Sequence, residues 1–120
     1  MGKAFPAALF FWATLICHSK PIIQGYERFH GQAPSVEGGA ILYSELGCAN
    51  CHSTASPIPE RKGPILTNVS KRLNRDWVKS FLENPEKVQP GTTMPDVLEA
   101  ISEESRKVAT EDILAWLKSL

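Results

Sequence analysis

Apolar residues cluster at helical spacing in three places along the chain. The first follows Ser35, a good N-cap, with Glu37 in the first turn and Ala40, Ile41, Leu42, Tyr43 and Leu46 carrying the apolar positions until Gly47 stops the run. The predicted helix therefore delivers its C-terminal end to Cys48. The second is predicted from Asn74, which caps it. Asp76 sits near its positive end, Trp77, Val78, Phe81 and Leu82 form one face, and Asn84-Pro85 ends it. The third has Ile113, Trp116, Leu117 and Leu120 spaced three and four apart, with Thr110 as its cap and Glu111 and Asp112 in its first turn. A separate short helical turn is predicted over residues 102–107. No stretch alternates with period two and no repeat is present, so the fold class expected is all-α, three main short helices joined by long loops.

Those loops are the unusual part of the pattern. Residues 51–69 carry Pro57, Pro59 and Pro64 and little periodicity, and a second loop is predicted from Glu86 to Ala100. Irregular segments of this length inside one small domain need something to wrap around. Short helices are marginal alone because nucleation is unfavourable. Three of them make a thin core, which a bound prosthetic group would complete.

The N-terminal part reads differently. Lys3 precedes an apolar run, Ala4 to Cys17, that is too short to span a bilayer, and Cys17-His18-Ser19 has the small-x-small pattern of a signal-peptidase site. Residues 1–19 are accordingly read as a signal peptide and the protein as exported, to a bacterial periplasm or another extracytoplasmic compartment. If the segment were retained it would act as a weak membrane tether. Residues 20–34, with Pro21, Gly25, Gly31 and Pro34, read as an extended lead-in, and residues 35–120 as the single domain. Loss of Cys17 with the signal leaves two of the three cysteines.

Composition narrows the partners only a little. Thirteen basic and thirteen acidic side chains give zero formal net charge, so no global field points to nucleic acid. Locally, Arg61, Lys62, Lys71, Arg72, Arg75 and Lys79 precede a stretch dominated by Glu83, Glu86, Asp96, Glu99, Glu103, Glu104, Glu111 and Asp112. Such asymmetry either steers a redox partner protein or forms a solvated surface of mixed charge.

The remaining cysteines carry the chemistry. Cys48-Ala49-Asn50-Cys51-His52 has the spacing of a covalent c-type haem attachment site, in which two thiols reach the vinyl groups on one side of the porphyrin and the next imidazole reaches the iron. A structural zinc site is an alternative that would need both His30 and His52 beside the two cysteines. A redox dithiol would expect a preceding strand, and a structural disulfide is compatible with export. On the haem reading a second axial ligand is needed. Apart from Met1 the only methionine is Met94, in the Pro90-Gly91-Thr92-Thr93-Met94-Pro95 loop, forty-two positions after His52. His30 is the alternative distal ligand. Gly63-Pro64 offers a backbone carbonyl to orient the His52 ring.

With these residues in view, the chain resembles the class I cytochrome c domain family. The resemblance rests on residues 39–43, Gly47-Cys48-Ala49-Asn50-Cys51-His52, Lys62-Gly63-Pro64-Ile65-Leu66, Trp77 with Phe81, residues 90–95 and residues 113–120. It implies a cytochrome c fold around one covalent haem c, with the first and last helices crossing closely, Gly39 permitting the contact and Tyr43 packing near Trp116. It also implies Cys48 and Cys51 as thioether residues, His52 and Met94 as axial iron ligands, and the Pro64 carbonyl as the acceptor for His52. The function expected is one-electron transfer by a carrier that is not itself an enzyme. The alternatives are an electron-relay module of a larger exported oxidoreductase, to which a final helix running to Leu120 would lead, and a haem enzyme or sensor with a displaceable distal ligand.

Overall fold

The computed structural model describes residues 33–55 and 63–120, and among them regular structure is helical, with no strand. The segment read as a signal peptide, nearly all of the predicted lead-in, His30 and Lys62 lie outside the described residues. No helix among the described residues is long and apolar enough to cross a membrane.

Helix α1 spans Val36–Glu45, and the Ser35 hydroxyl accepts from the Gly38 N–H at 2.8 Å as its N-cap. The helix ends as its sequence predicts. Gly47 takes φ +72, a left-handed conformation that residues with a Cβ avoid, and the chain turns directly into a 3-10 turn over Cys48–Asn50. Helix α2, Val69–Arg72, is a single turn that begins at the last residue of the predicted loop. Helix α3 runs Arg75–Glu83 with the Asn74 side chain accepting from the Asp76 and Trp77 N–H groups. Asn84-Pro85 ends α3 as expected, but it also starts a further turn. Asn84 caps α4, Pro85–Val88, with Pro85 at a first-turn position where its missing N–H costs nothing.

Helix α5 corrects the predicted C-terminal pattern. It is one continuous helix, Glu103–Ser119, capped by Ser102, rather than a short turn followed by a helix starting at Thr110. Thr110 is fully buried inside it, and its hydroxyl donates to the Arg106 carbonyl at 2.8 Å, one turn back. A threonine that satisfies its hydroxyl on the preceding turn has no need to terminate the helix.

The core forms where α1 crosses α5. A Cβ on Gly39 would lie 2.2 Å from the Asp112 carbonyl oxygen and 2.4 Å from the Trp116 Cβ, so only a glycine lets the two backbones approach this closely. One turn on, the Tyr43 and Trp116 rings pack with centroids 4.5 Å apart. The Asp112 carboxylate accepts from the Ser35 N–H at 2.8 Å, fixing the start of α1 against α5. Leu42, Val69, Leu82, Leu98, Ile113, Leu114 and Leu117 complete the buried cluster. Leu42 and Leu98 are wholly enclosed, each worth about 1.5–3 kcal/mol of burial. The expected apolar face of α3 is covered unevenly: Leu82 is buried, while Trp77 keeps 40% of its surface exposed and stacks on Phe81 with centroids 4.9 Å apart.

The charge asymmetry seen in the sequence is partly consumed inside the fold. Arg75 and Lys79 of α3 both pair with Glu111 of α5, the lysine at 2.8 Å, and Arg106 pairs with Asp96 at 3.1 Å.

Candidate functional site

The C-terminal end of α1 is the platform for the cysteine-histidine segment. The Leu46 and Gly47 N–H groups bond back to Leu42 and Ser44. The Cys51 and His52 N–H groups then both bond to the Cys48 carbonyl, at 3.1 and 2.8 Å, which wraps the two cysteines and the histidine around one tight turn. The Tyr43 hydroxyl donates to the His52 carbonyl at 2.9 Å. One aromatic side chain thus ties the turn to the helix before it and, through Trp116, to α5.

The His52 ring is oriented from the other side. Its Nδ1 lies 2.8 Å from the Pro64 carbonyl oxygen. A carbonyl can only accept, so Nδ1 carries the proton and the ring's lone pair belongs to Nε2, the nitrogen that would meet a metal. Two further bonds hold the opposing strand of chain in place: Gly63 N–H to the Cys51 carbonyl at 3.0 Å and Leu66 N–H to the Ser53 carbonyl at 2.8 Å. The Thr67 hydroxyl donates to the Thr54 carbonyl. Gly63 is in close contact as well, since a Cβ there would come within 2.6 Å of His52 Nδ1.

Both cysteines are free thiols. Burial pushes the half-buried Cys48 thiol above its ordinary value, a backbone hydrogen bond opposes this, and the neighbouring Cys51 adds to the rise. A redox dithiol depends on a depressed pKa, because the thiolate is the nucleophile. Cys48 is shifted the other way.

Met94 is half-buried in the loop between α4 and α5 and packs against the buried apolar cluster, as does Leu66 from the segment facing His52. The structure therefore brings Cys48, Cys51, His52 and Pro64 together by hydrogen bonding, while Met94 packs separately against the apolar cluster. No family model, no curated protein and no solved structure matches the chain.

The residue types match those a c-type haem would use: two thiols three positions apart on one turn, an adjacent imidazole whose Nδ1 is engaged by Pro64, and a thioether in an irregular segment packed on the apolar cluster. The zinc alternative depends on His30, outside the described residues; among the described residues no group of three or more His, Cys, Asp or Glu side chains could hold a metal ion. An apolar groove of about 290 Å³ also opens between α2, α3 and α5, lined by Val69, Leu73, Val78, Leu114 and Leu117, but none of the candidate site residues borders it.

Two contributors escaped the sequence reading. The Tyr43 bond to the His52 carbonyl joins positions nine apart across the end of a helix, and no spacing rule flags it. Arg106 holds the Met94 loop from α5, and it is one of several charged residues in a region that reads as solvated surface.

Proposed function

We propose that this protein carries one haem c, bound through thioether links to Cys48 and Cys51 with His52 and Met94 as axial ligands, and transfers single electrons. The observation that carries the reading is the His52 Nδ1 to Pro64 carbonyl bond of 2.8 Å within the cysteine-histidine turn. It supplies what a metal-bound imidazole needs, a fixed tautomer and a fixed ring plane. The crossing of α1 and α5 at Gly39, with Tyr43 against Trp116, supports assigning the all-α fold to the cytochrome c type.

When bound, the haem supplies a one-electron iron couple, and methionine ligation favours the reduced state. The protein's part is to hold that couple rigid. His52 and Met94 would hold the iron between them, which would leave it no open place for a substrate. The Pro64 carbonyl keeps the imidazole from rotating, and Tyr43 holds the His52 backbone. The buried cluster around Leu42, Leu98 and Ile113 gives the Met94 side chain an apolar surface to pack on. Such a protein works by collision with a donor and an acceptor protein, and its export places both partners outside the cytoplasm.

The test is expression together with haem-attachment machinery, followed by mass spectrometry. The expected product weighs one haem more than the polypeptide, and its colour stays with the protein in acidified organic solvent. Its oxidised form shows the weak near-infrared band of sulfur-ligated iron, which Met94→Ala abolishes. A polypeptide mass without haem, or pigment that washes out, overturns the proposal.

A further inference from the structure

The Met94 loop is shaped locally but located from a distance. Gly91, at φ +78, donates its N–H to the Glu86 carboxylate at 3.0 Å, and the Thr92 N–H bonds to the Gln89 carbonyl at 3.1 Å. The Met94 N–H bonds to the Thr92 hydroxyl at 3.2 Å, and the Leu98 N–H to the Asp96 carboxylate at 3.1 Å. All of these span five residues or fewer. They set the curvature of the loop and say nothing about where it sits against the rest of the molecule.

Its position comes from two other sources. One is apolar packing: Leu98 is wholly buried, and Met94 and Val97 lie against the same cluster. The other is Arg106 of α5. Its Nη2 reaches both Asp96 oxygens, at 3.3 and 3.1 Å, and its Nη1 donates to the Glu83 carbonyl at 2.8 Å. Asp96 lies two residues beyond Met94, and Glu83 is the last residue of α3, where the helix dipole favours a cation. The planar fork of one guanidinium therefore joins three segments: the methionine loop, the C-terminus of α3 and the first half of α5. Its side chain is 21% exposed and that of Asp96 29%, so the pair is shielded from water in large part. Charge-assisted, fork-shaped contacts of this kind fix direction as well as distance, and a lysine cannot reproduce them.

We propose that Arg106 is a positioning residue for the distal ligand: its clamp on Asp96 and Glu83 holds the Met94 thioether at the iron against competing ligands. This rests on the haem reading given above and deepens it. Breaking the clamp leaves the thioether links and His52 untouched, so haem attachment survives. It releases the loop from α3 and α5 and lowers the cost of pulling Met94 away. Hydrogen bonds to charged groups are worth about 1.5–3 kcal/mol each, which corresponds to roughly ten- to hundredfold in a displacement equilibrium.

The experiment is a titration of the oxidised holoprotein with imidazole, following loss of the near-infrared sulfur band, in the wild type and in R106Q, R106K and E111Q. E111Q is the control, because it breaks the α3–α5 ion pairs to Arg75 and Lys79 without touching the methionine loop. In R106Q, imidazole displaces Met94 at a concentration at least tenfold lower, with haem content unchanged; R106K recovers only part of the difference, and E111Q behaves as the wild type. Equal displacement in R106Q and wild type, or the same weakening in E111Q as in R106Q, overturns the clamp and leaves the haem assignment standing. A wild-type holoprotein with no sulfur band overturns the Met94 assignment, and the clamp with it.

Discussion

Replacing Gly39 by alanine tests the helix crossing on which the rest of the molecule is built. In an isolated helix the change is favourable by about 1 kcal/mol, since glycine is the poorer helix former. In this protein the added carbon would lie 2.2 Å from the Asp112 carbonyl oxygen and 2.4 Å from the Trp116 Cβ. Carbon atoms are content at about 3.5–4.0 Å, so α1 and α5 must separate by roughly 1 Å or more. Neither obstacle is the tip of a flexible side chain: one is backbone and the other a Cβ fixed to it. Overpacking costs typically 1–3 kcal/mol and more when the backbone must move. Setting about 3–4 kcal/mol of strain against the gain in helix propensity leaves a net loss of about 2–3 kcal/mol. Urea unfolding followed by circular dichroism reads this as a fall in midpoint of about 1–2 M at unchanged slope. The neighbouring Ala40 is exposed, so Ala40→Gly should lose only the propensity, about 1 kcal/mol. Gly38→Ala meets only the Asp112 carboxylate and the Ser35 hydroxyl, both at 2.7 Å, and should fall between the two because side-chain ends can yield. A G39A midpoint equal to or above that of the wild type would refute the close crossing.

Three further outcomes follow from the same geometry. Tyr43→Phe keeps the ring on Trp116 but deletes the bond to the His52 carbonyl, and should cost about 0.5–1.5 kcal/mol in the same unfolding assay; no loss would mean that water replaces the phenol without penalty. Gly63→Ala drives a methyl into the His52 ring and against the Cys51 carbonyl, so the yield of matured holoprotein should drop and its visible spectrum shift, whereas an unchanged spectrum would show that the ring tolerates reorientation. Hydrogen bonding from Lys79 is the main cause holding the Glu111 carboxyl below the usual carboxylate range, with Arg75 also lowering it and burial opposing. A depressed acid contributes stability above its unfolded pKa and loses it as pH falls through the folded value. E111Q should therefore flatten the acid limb of a stability–pH curve by less than about 1 kcal/mol, and added salt should shrink the difference.

Much of the local structure was legible because caps and stops are short-range chemistry. Ser35, Asn74 and Gly47 act where their side chains, or the lack of one, predict. The turn starting at Pro85 was legible in principle, since asparagine followed by proline and glutamate is a good helix start, but the same pair reads first as the end of α3. Thr110 misled because its hydroxyl serves equally as a cap or as a bond to the preceding turn, and only burial decides which. Leu98 is wholly enclosed although nothing periodic surrounds it: its place is set by the loop's path over α5. In the candidate site, the cysteines, His52 and Pro64 lie close in sequence and could be named from spacing. Tyr43 and Arg106 act by meeting backbone carbonyls that only the folded chain brings within reach.

Ser35 and Asp112 are bonded across a separation of 77 positions, and the segment that carries both thiols lies between them. Among the described residues α1 packs chiefly on α5, so on a chain made from its N-terminus it waits for α5 to be synthesised. The wait is entropically expensive, because contacts so remote in sequence are the slowest to close. Until that closure, the turn that carries Cys48 and Cys51 lacks the brace that Tyr43 takes from Trp116.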